Sequence, residues 1–309
     1  MNSNKFQNEK ITLDGTPRAS VKLESLKTLW FNTGSQCNLS CENCYIESNP
    51  RNDKLSYINV EDISPFLDEV KSSFLDVNLV GLTGGEPFLN PNIINICDKV
   101  LSSGIDVLVL TNAYKAMPRF KNKLIDLKNI YKDKLHIRVS LDHYTEQLHE
   151  KERGFGVFWP TIENIKWLYE NNFNLSIAGR SLSNENLEDA KVKYRELLSS
   201  QNILIQNLDE KLVVFPEMDL NKDVPEITIK CWDILKKSPS DQMCASERMI
   251  VKRKAESSPV VLPCTLLAYD KQFELGHSLK ESKDKSVFLN HPFCAQFCVL
   301  GSASCSSAK

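Results

Sequence analysis

The chain has 309 residues, a formal net charge of −2 and 41% hydrophobic residues, which is typical of one large globular domain or a domain with an appendage. No apolar run approaches the ~20 residues of a membrane span, and the polar amino terminus has no apolar signal segment. Lys and Arg are scattered, and the one dense basic patch, residues 252–254, is too short for a phosphate track. We expect a cytoplasmic protein with no membrane and no nucleic acid partner.

The middle of the chain alternates short apolar runs with segments of helical period. Strands are predicted over residues 27–34, 77–82, 105–110, 136–141, 174–178 and 212–215, and helices over 59–73, 91–103, 117–131, 158–171 and 184–199. Repeated β–α units imply a parallel sheet with right-handed crossovers. Six units favour a partial (β/α)6 barrel over the full eightfold one, so the predicted fold class is α/β.

Both ends of the chain differ from this pattern. Residues 1–26 are polar and weakly patterned, and we expect an N-terminal arm. After Pro225, two short apolar runs separated by a polar turn predict a β-hairpin, and an irregular, cysteine-rich tail follows. We therefore predict a core over residues 27–224 and a small C-terminal region over residues 225–309 that contains the hairpin.

Three of the ten cysteines follow the first predicted strand with the spacing C-x3-C-x2-C: Cys37, Cys41 and Cys44. Cysteines in a chain of this size without secretion signals favour metal binding or catalysis over disulfides. Zinc and iron–sulfur sites normally use four protein ligands. Either a distant residue supplies the fourth ligand, or that position is left for another molecule. Cys97 lies in an apolar helical run and is predicted to be a core thiol.

Polar or glycine residues end every predicted strand of the core. They are the cysteine loop, Gly84 to Pro87, Asn112, Ser140 with Asp142, Arg180 and Glu217. In barrels of this kind the functional groups lie at the carboxyl ends of the strands. The sequence therefore predicts an active-site rim there.

The cysteine motif and Gly84-Gly85-Glu86-Pro87, at consecutive strand ends, together resemble the radical S-adenosylmethionine (SAM) superfamily over about residues 27–217. The resemblance implies that Cys37, Cys41 and Cys44 hold a catalytic [4Fe-4S] cluster whose remaining iron binds SAM. It also implies a one-electron reductant such as flavodoxin or ferredoxin, and a 5′-deoxyadenosyl radical that takes a hydrogen atom from substrate. A zinc loop is the alternative interpretation, and it leaves the fourth ligand unexplained.

The resemblance also implies SAM contacts around the rim. The backbone of Gly84, Gly85, Glu86 and Pro87 is expected along the SAM amino group, since glycines allow close approach. Ser140 and Asp142 resemble a polar pair near the SAM carboxylate and ribose, and Arg180 is expected to pair with the carboxylate. Asn112 is either a ligand contact or a polar turn. The superfamily usually has an aromatic residue just before the third cysteine; here Asn43 stands there, and Tyr45 is the expected adenine contact.

The C-terminal cysteines resemble a Twitch/SPASM extension, in which a cysteine-flanked hairpin and a later cysteine group hold an auxiliary iron–sulfur cluster. The candidates are Cys244, Cys264, Cys294, Cys298 and Cys305. Five cysteines exceed the four ligands of a second [4Fe-4S] cluster, and a zinc site is the alternative. Cys231, beside Trp232, is predicted to be a core residue. After the fourth strand, His143 is either a rim proton donor or substrate contact, or a surface turn histidine. Residues 146–153, with Glu146, His149, Glu150 and Arg153, are predicted to be a solvated polar segment.

The sequence thus indicates a radical SAM enzyme whose substrate is open. One hypothesis is modification of a peptide or protein side chain; since the arm is too short for a leader-binding domain, a separate leader-peptide-binding protein would be required. The second is a radical rearrangement or a cofactor or natural-product step on a small molecule. A non-enzymatic iron–sulfur or zinc scaffold is the alternative of another class.

Overall fold

A computed structural model describes residues 5–182, 185–219 and 222–306. Its main element is an eight-stranded sheet with the order β7-β6-β5-β4-β3-β2-β8-β9. The strands are β1 Ser20–Val21, β2 Thr28–Asn32, β3 Leu79–Thr83, β4 Asp106–Thr111, β5 Leu135–Ser140, β6 Asn174–Arg180, β7 Leu212–Phe215, β8 Glu247–Val251, β9 Val260–Leu262 and β10 Val287–Phe288. Strands β2 to β7 are the six predicted ones, and they are all parallel, so the predicted α/β barrel-type fold is confirmed.

All but the last of the described helices lie between parallel strands. They are α1 Val60–Ser73, α2 Ile93–Ser102, α3 Lys121–Tyr131, α4 Glu146–Arg153, α5 Phe158–Glu170, α6 Leu187–Ser200, α7 Leu208–Lys211, α8 Cys231–Leu235 and α9 Leu279–Lys283. A π-helical segment covers Cys294–Leu300. Helix α1 begins at a capping box in which Asn59 and Asp62 each bind the other's backbone N–H. None of the helices in the described ranges has the length and apolar character of a membrane-spanning segment.

The predicted C-terminal hairpin is present, but it is also part of the main sheet. Strands β8 and β9 pair antiparallel, with Met249 opposite Leu262. Strand β8 additionally pairs in parallel with β2, with Thr28 opposite Glu247. Without β8, the fully buried strand β2 would leave a row of backbone donors and acceptors unpaired. The hairpin therefore completes the barrel wall beside the strand that leads into the cysteine loop.

Side chains of the sheet divide between two hydrophobic clusters. The larger one contains Leu29 and Phe31 of β2 and packs against the helices. The smaller one contains Trp30 of the same strand, together with Leu108 and Met249, because successive side chains of a strand point to opposite faces. A Cβ at Gly81 would lie 2.1 Å from the Trp30 ring, so only glycine fits beneath that indole. The C-terminal residues Ala303 and Cys305 pack against the smaller cluster, and the tail therefore closes the inner face of the sheet.

Candidate active site

A cavity of about 200 Å³ lies at the carboxyl ends of the parallel strands. Its lining includes most of the rim residues predicted from the sequence: Cys37, Cys41, Cys44, Tyr45, Gly84, Gly85, Asn112, Ser140, Asp142 and Arg180. Glu86 and Pro87 are buried behind this wall, and Glu217 lines a neighbouring groove. The strand ends therefore bring the candidate residues of both motifs together.

Gly84 and Gly85 are in contact with the cysteine loop. The Gly85 N–H donates to the Gly34 carbonyl at 2.9 Å, and a Cβ at Gly85 would lie 2.0 Å from the Gln36 carbonyl oxygen. Gly84 has a φ of +137°, and a Cβ there would lie 2.5 Å from the Gly34 oxygen. We expected these glycines to allow approach of SAM; in the structure they are also required by the chain's own packing, since a larger residue would displace the cysteine loop.

Glu86 joins the ends of two strands. Its buried carboxylate accepts hydrogen bonds from Thr111 Oγ1 at 2.8 Å and from the Asn112 N–H at 2.9 Å. Burial raises the pKa of this carboxyl to about 7, although these hydrogen bonds oppose the shift. Glu86 therefore holds the end of β4 against the loop that follows β3, and Asn112 is positioned as a result.

The three thiols of the cysteine loop have environments that suit cluster ligands. Asn112 Nδ2 lies 3.7 Å from Cys37 Sγ, and the Ser48 N–H donates to Cys44 Sγ at 3.3 Å. Burial raises the pKa of Cys37 to about 12 and that of Cys41 as well, while Arg153 opposes the shift at Cys41. A bound metal group deprotonates such thiols. The residues present therefore fit an iron–sulfur cluster.

No group of three His, Cys, Asp or Glu side chains within the described ranges is arranged to hold one metal ion. An iron–sulfur cluster is bound by cysteine thiolates that each ligate a separate iron. Its ligands therefore need not converge on a single point.

Arg153 was missed by the sequence reasoning. It lines the cavity, and its Nε and Nη2 each donate to one oxygen of Asp142 at 2.8 Å. Arg153 also lies close to Cys41 and Cys37. Burial lowers the pKa of its guanidinium, whereas Asp142 and both cysteines raise it, and the net shift is upward. Both Asp142 oxygens, expected to face SAM, thus bind this guanidinium. A cation whose side chain is only 13% exposed thus stands beside the thiols.

The prediction of a solvated polar segment over residues 146–153 is wrong. This segment is helix α4, and its His149 and Glu152 are buried. His149 Nδ1 accepts from the Asp142 N–H at 3.2 Å, and the Glu152 carboxylate binds Arg180 Nη1 at 2.9 Å. The helix has only one aliphatic side chain, so hydrophobic periodicity could not reveal it. It is held in place by charged and polar partners on other elements.

Arg180 connects the cysteine loop with the end of β6. Its guanidinium lies over the Tyr45 ring, 4.8 Å from the ring centre, and Tyr45 in turn donates to the Pro216 carbonyl at 2.8 Å. Glu152, the partner of Arg180, also accepts from Asn43 Nδ2 at 3.0 Å. Asn43, which stands where an aromatic residue was expected, therefore links the cysteine loop to α4.

The C-terminal cysteines line two different cavities. Cys244, Cys264, Cys294 and Cys298 line one small cavity of about 20 Å³, whose other lining residues are almost all apolar. Cys305 instead lines the cavity at the strand ends, here called the active-site cavity, and Leu266 lines both cavities. Elsewhere in the chain, Cys97 is fully buried in the core as predicted, and Cys231 is half-buried.

A polar groove of about 740 Å³ adjoins the active-site cavity and shares Asn43 and Arg180 with it. His143 lines this groove, is buried, and lies 3.4 Å from a Glu185 oxygen. It stacks on Tyr144 with ring centres 3.9 Å apart. His143 is therefore not a surface histidine, and it belongs to the groove beside the cavity.

A family model of the radical SAM superfamily matches residues 31–193, more than half of the chain. The chain therefore belongs to the radical SAM superfamily, whose enzymes use a [4Fe-4S] cluster and SAM. The match covers the cysteine loop, the Gly-Gly-Glu-Pro segment and α4.

Two relatives and one solved structure are similar to the chain. It is 29% identical over 176 residues to the antilisterial bacteriocin subtilosin biosynthesis protein AlbA of Bacillus subtilis, covering 57% of this chain and 37% of AlbA. It is 27% identical over 154 residues to the AdoMet-dependent heme synthase of Methanosarcina barkeri, covering 50% and 42%. Streptococcus suis SuiB, solved with its precursor peptide SuiA, superposes with a TM-score of 0.61 at 15% identity, covering 85% of this chain and 66% of SuiB. The chain spans less than half of the two relatives, and the likeness to SuiB concerns the fold.

Proposed function

We propose that this protein reductively cleaves SAM at a [4Fe-4S] cluster held by Cys37, Cys41 and Cys44, and uses the resulting radical to modify a peptide or protein side chain. The single cavity that these thiols share with the strand-end residues carries the proposal. When bound, the cluster supplies the electron and SAM the organic radical. The chain itself supplies orientation and exclusion of water.

Two guanidinium groups favour SAM in this cavity. The carboxylate is the anionic group of SAM, and Arg153 and Arg180 both line the cavity. Arg180 Nε and Nη2 are buried and have no hydrogen-bond partner among the described residues, and an unsatisfied buried donor costs about 1–3 kcal/mol. A bound carboxylate would satisfy them. Ser140, Asn112 and Tyr45 supply further polar and aromatic contacts on the same wall.

For the C-terminal region we propose a second [4Fe-4S] cluster. Its four ligands would be Cys244, Cys264, Cys294 and Cys298, because these four thiols line one cavity. Burial raises the pKa of each of them, and such thiols become thiolates when a metal group binds. Residues 225–309 would then form the cluster-holding region.

The groove beside the cavity favours an extended substrate. It opens next to Arg180 and is large enough for a peptide segment, with charged and polar groups of both signs on its walls. The relative AlbA is a bacteriocin biosynthesis protein, and SuiB has been solved with a precursor peptide. A separate leader-peptide-binding protein and a flavodoxin or ferredoxin would be the partners.

The heme synthase relative supports a second candidate, a radical step on a small molecule. The two candidates differ in what the protein consumes. The anaerobically reconstituted protein would be incubated with SAM, reductant and short peptides encoded beside its gene. Peptide modification predicts a product that has lost hydrogen or gained a crosslink by mass spectrometry, and Cys41→Ala should abolish it. Turnover of small molecules alone would favour the second candidate, and absence of any SAM cleavage would contradict both.

A further inference from the structure

One cysteine of the C-terminal region lines a different cavity from the proposed cluster ligands. Cys305 lines the active-site cavity together with Cys37, Cys41 and Cys44, whereas four other cysteines line the small cavity. A [4Fe-4S] cluster needs four thiolates at most. With the other four cysteines as the proposed ligands, the thiol of Cys305 is left over, and it lines the cavity where we place SAM.

The fold holds Cys305 in position through its backbone and its neighbours. Arg138 Nη1 donates to the Cys305 carbonyl at 2.7 Å. The hydroxyls of Ser304 and Ser306 both donate to Glu247 Oε1, at 2.9 and 2.7 Å. Arg138 and Glu247 are buried in the inner face of the sheet. Buried charged groups are costly unless they are paired or hydrogen-bonded. Here Arg138 binds the carbonyl of Cys305, and Glu247 binds the side chains of the two serines that flank it.

The environment of the sulfur leaves its hydrogen available. Thr265 Oγ1 donates to Cys305 Sγ at 3.1 Å, so the sulfur is the acceptor in this contact and the S–H can point elsewhere. Thr265 lines the same cavity. An independent observation marks this cavity as a ligand site: Arg180, only 7% exposed, leaves Nε and Nη2 without a hydrogen-bond partner within the described ranges.

We propose that Cys305 is an active-site thiol that donates a hydrogen atom to carbon-centred radicals formed in the active-site cavity. This inference rests on the proposed function. The S–H bond breaks homolytically, the hydrogen forms a new C–H bond on the radical, and the sulfur remains as a thiyl radical. One electron from the external one-electron reductant and one proton from solvent restore the thiol. Sulfur–hydrogen bonds are weaker than most C–H bonds, so the transfer is favourable.

The test uses the cluster-loaded protein with SAM and dithionite in D2O, without substrate. The Cys305 thiol exchanges to S–D, and the natural protein should release 5′-deoxyadenosine that carries one deuterium. In Cys305→Ser and Cys305→Ala the deuterated fraction should fall by about tenfold. Cys231→Ser changes a half-buried thiol outside both cavities, and it should label like the natural protein.

Iron content gives a readout that is independent of turnover. Cys305→Ser should keep the iron of the natural protein, whereas Cys298→Ser should lose about four irons per chain. Unlabelled 5′-deoxyadenosine from the natural protein, equal labelling in the Cys305 variants, or loss of about four irons in Cys305→Ser would each overturn the inference while leaving the proposed SAM cleavage intact. Absence of SAM cleavage by the natural protein would overturn the proposed function and this inference with it.

Discussion

Asp142 binds the guanidinium of Arg153 through both carboxylate oxygens, each at 2.8 Å. Asp142 follows strand β5, and Arg153 ends helix α4, so the pair closes the segment between them onto the sheet. Burial alone would raise the pKa of Asp142, but Arg153, Arg180 and His149 together outweigh it, and the pKa lies below its usual value. The carboxylate therefore stays ionised and holds a cation beside the thiols of the cysteine loop.

Asp142→Asn should destabilise the fold and weaken SAM binding together, because it leaves the largely buried Arg153 charge without its partner. Breaking one side of a buried ion pair costs about 3 kcal/mol or more. The matched control is Asp209→Asn, which breaks the exposed pair with Arg195 and should cost less than about 1 kcal/mol. Anaerobic urea unfolding measures both variants. Equal losses for the two would show that the buried pair has no special role.

Gly85 packs against the cysteine loop, so replacing it should selectively remove the cluster proposed at Cys37, Cys41 and Cys44. In Gly85→Ala the new Cβ would meet the Gln36 carbonyl at 2.0 Å, so the cysteine loop must move. We expect iron content to fall by about half and SAM cleavage by at least about tenfold. Gly104→Ala is the control: that glycine has a φ of +90° but open space around it, so the change costs about 1 kcal/mol of backbone strain. Normal iron content in Gly85→Ala would contradict this assignment.

Glu86 predicts a pH dependence of stability. Its pKa is about 7 in the folded protein against 4.5 in the unfolded chain, so the folded state binds this proton more tightly. The corresponding stabilisation is complete below about pH 4.5 and is lost as the pH rises through about 7, with a total of about 3 kcal/mol.

Glu86→Gln removes this titration, so its free energy of unfolding should change less between about pH 5 and pH 8 than that of the natural protein. Urea unfolding at several pH values measures the difference. Parallel pH profiles for the two proteins would show that Glu86 is not the titrating group.

The strand ends were predictable because local patterns determine them. Short apolar runs gave the six parallel strands, and the polar or glycine residue after each run gave the rim. Helix α4 was not predictable in this way: the buried Glu152 and the partly buried Arg153 are bound by Arg180 and Asp142, which lie on other elements. The pairing of β8 with β2 and the position of Cys305 on the active-site cavity also depend on contacts between distant parts of the chain. Sequence periodicity carries no information on such contacts.

The proposed role of the cysteine loop predicts one decisive comparison. The reconstituted protein is incubated anaerobically with SAM and dithionite, and 5′-deoxyadenosine is measured by mass spectrometry for the natural chain and for Cys37→Ala. The account predicts steady formation of 5′-deoxyadenosine by the natural chain and none by Cys37→Ala, which should still retain about four irons at the C-terminal cysteines. Unchanged formation of 5′-deoxyadenosine by Cys37→Ala would contradict it.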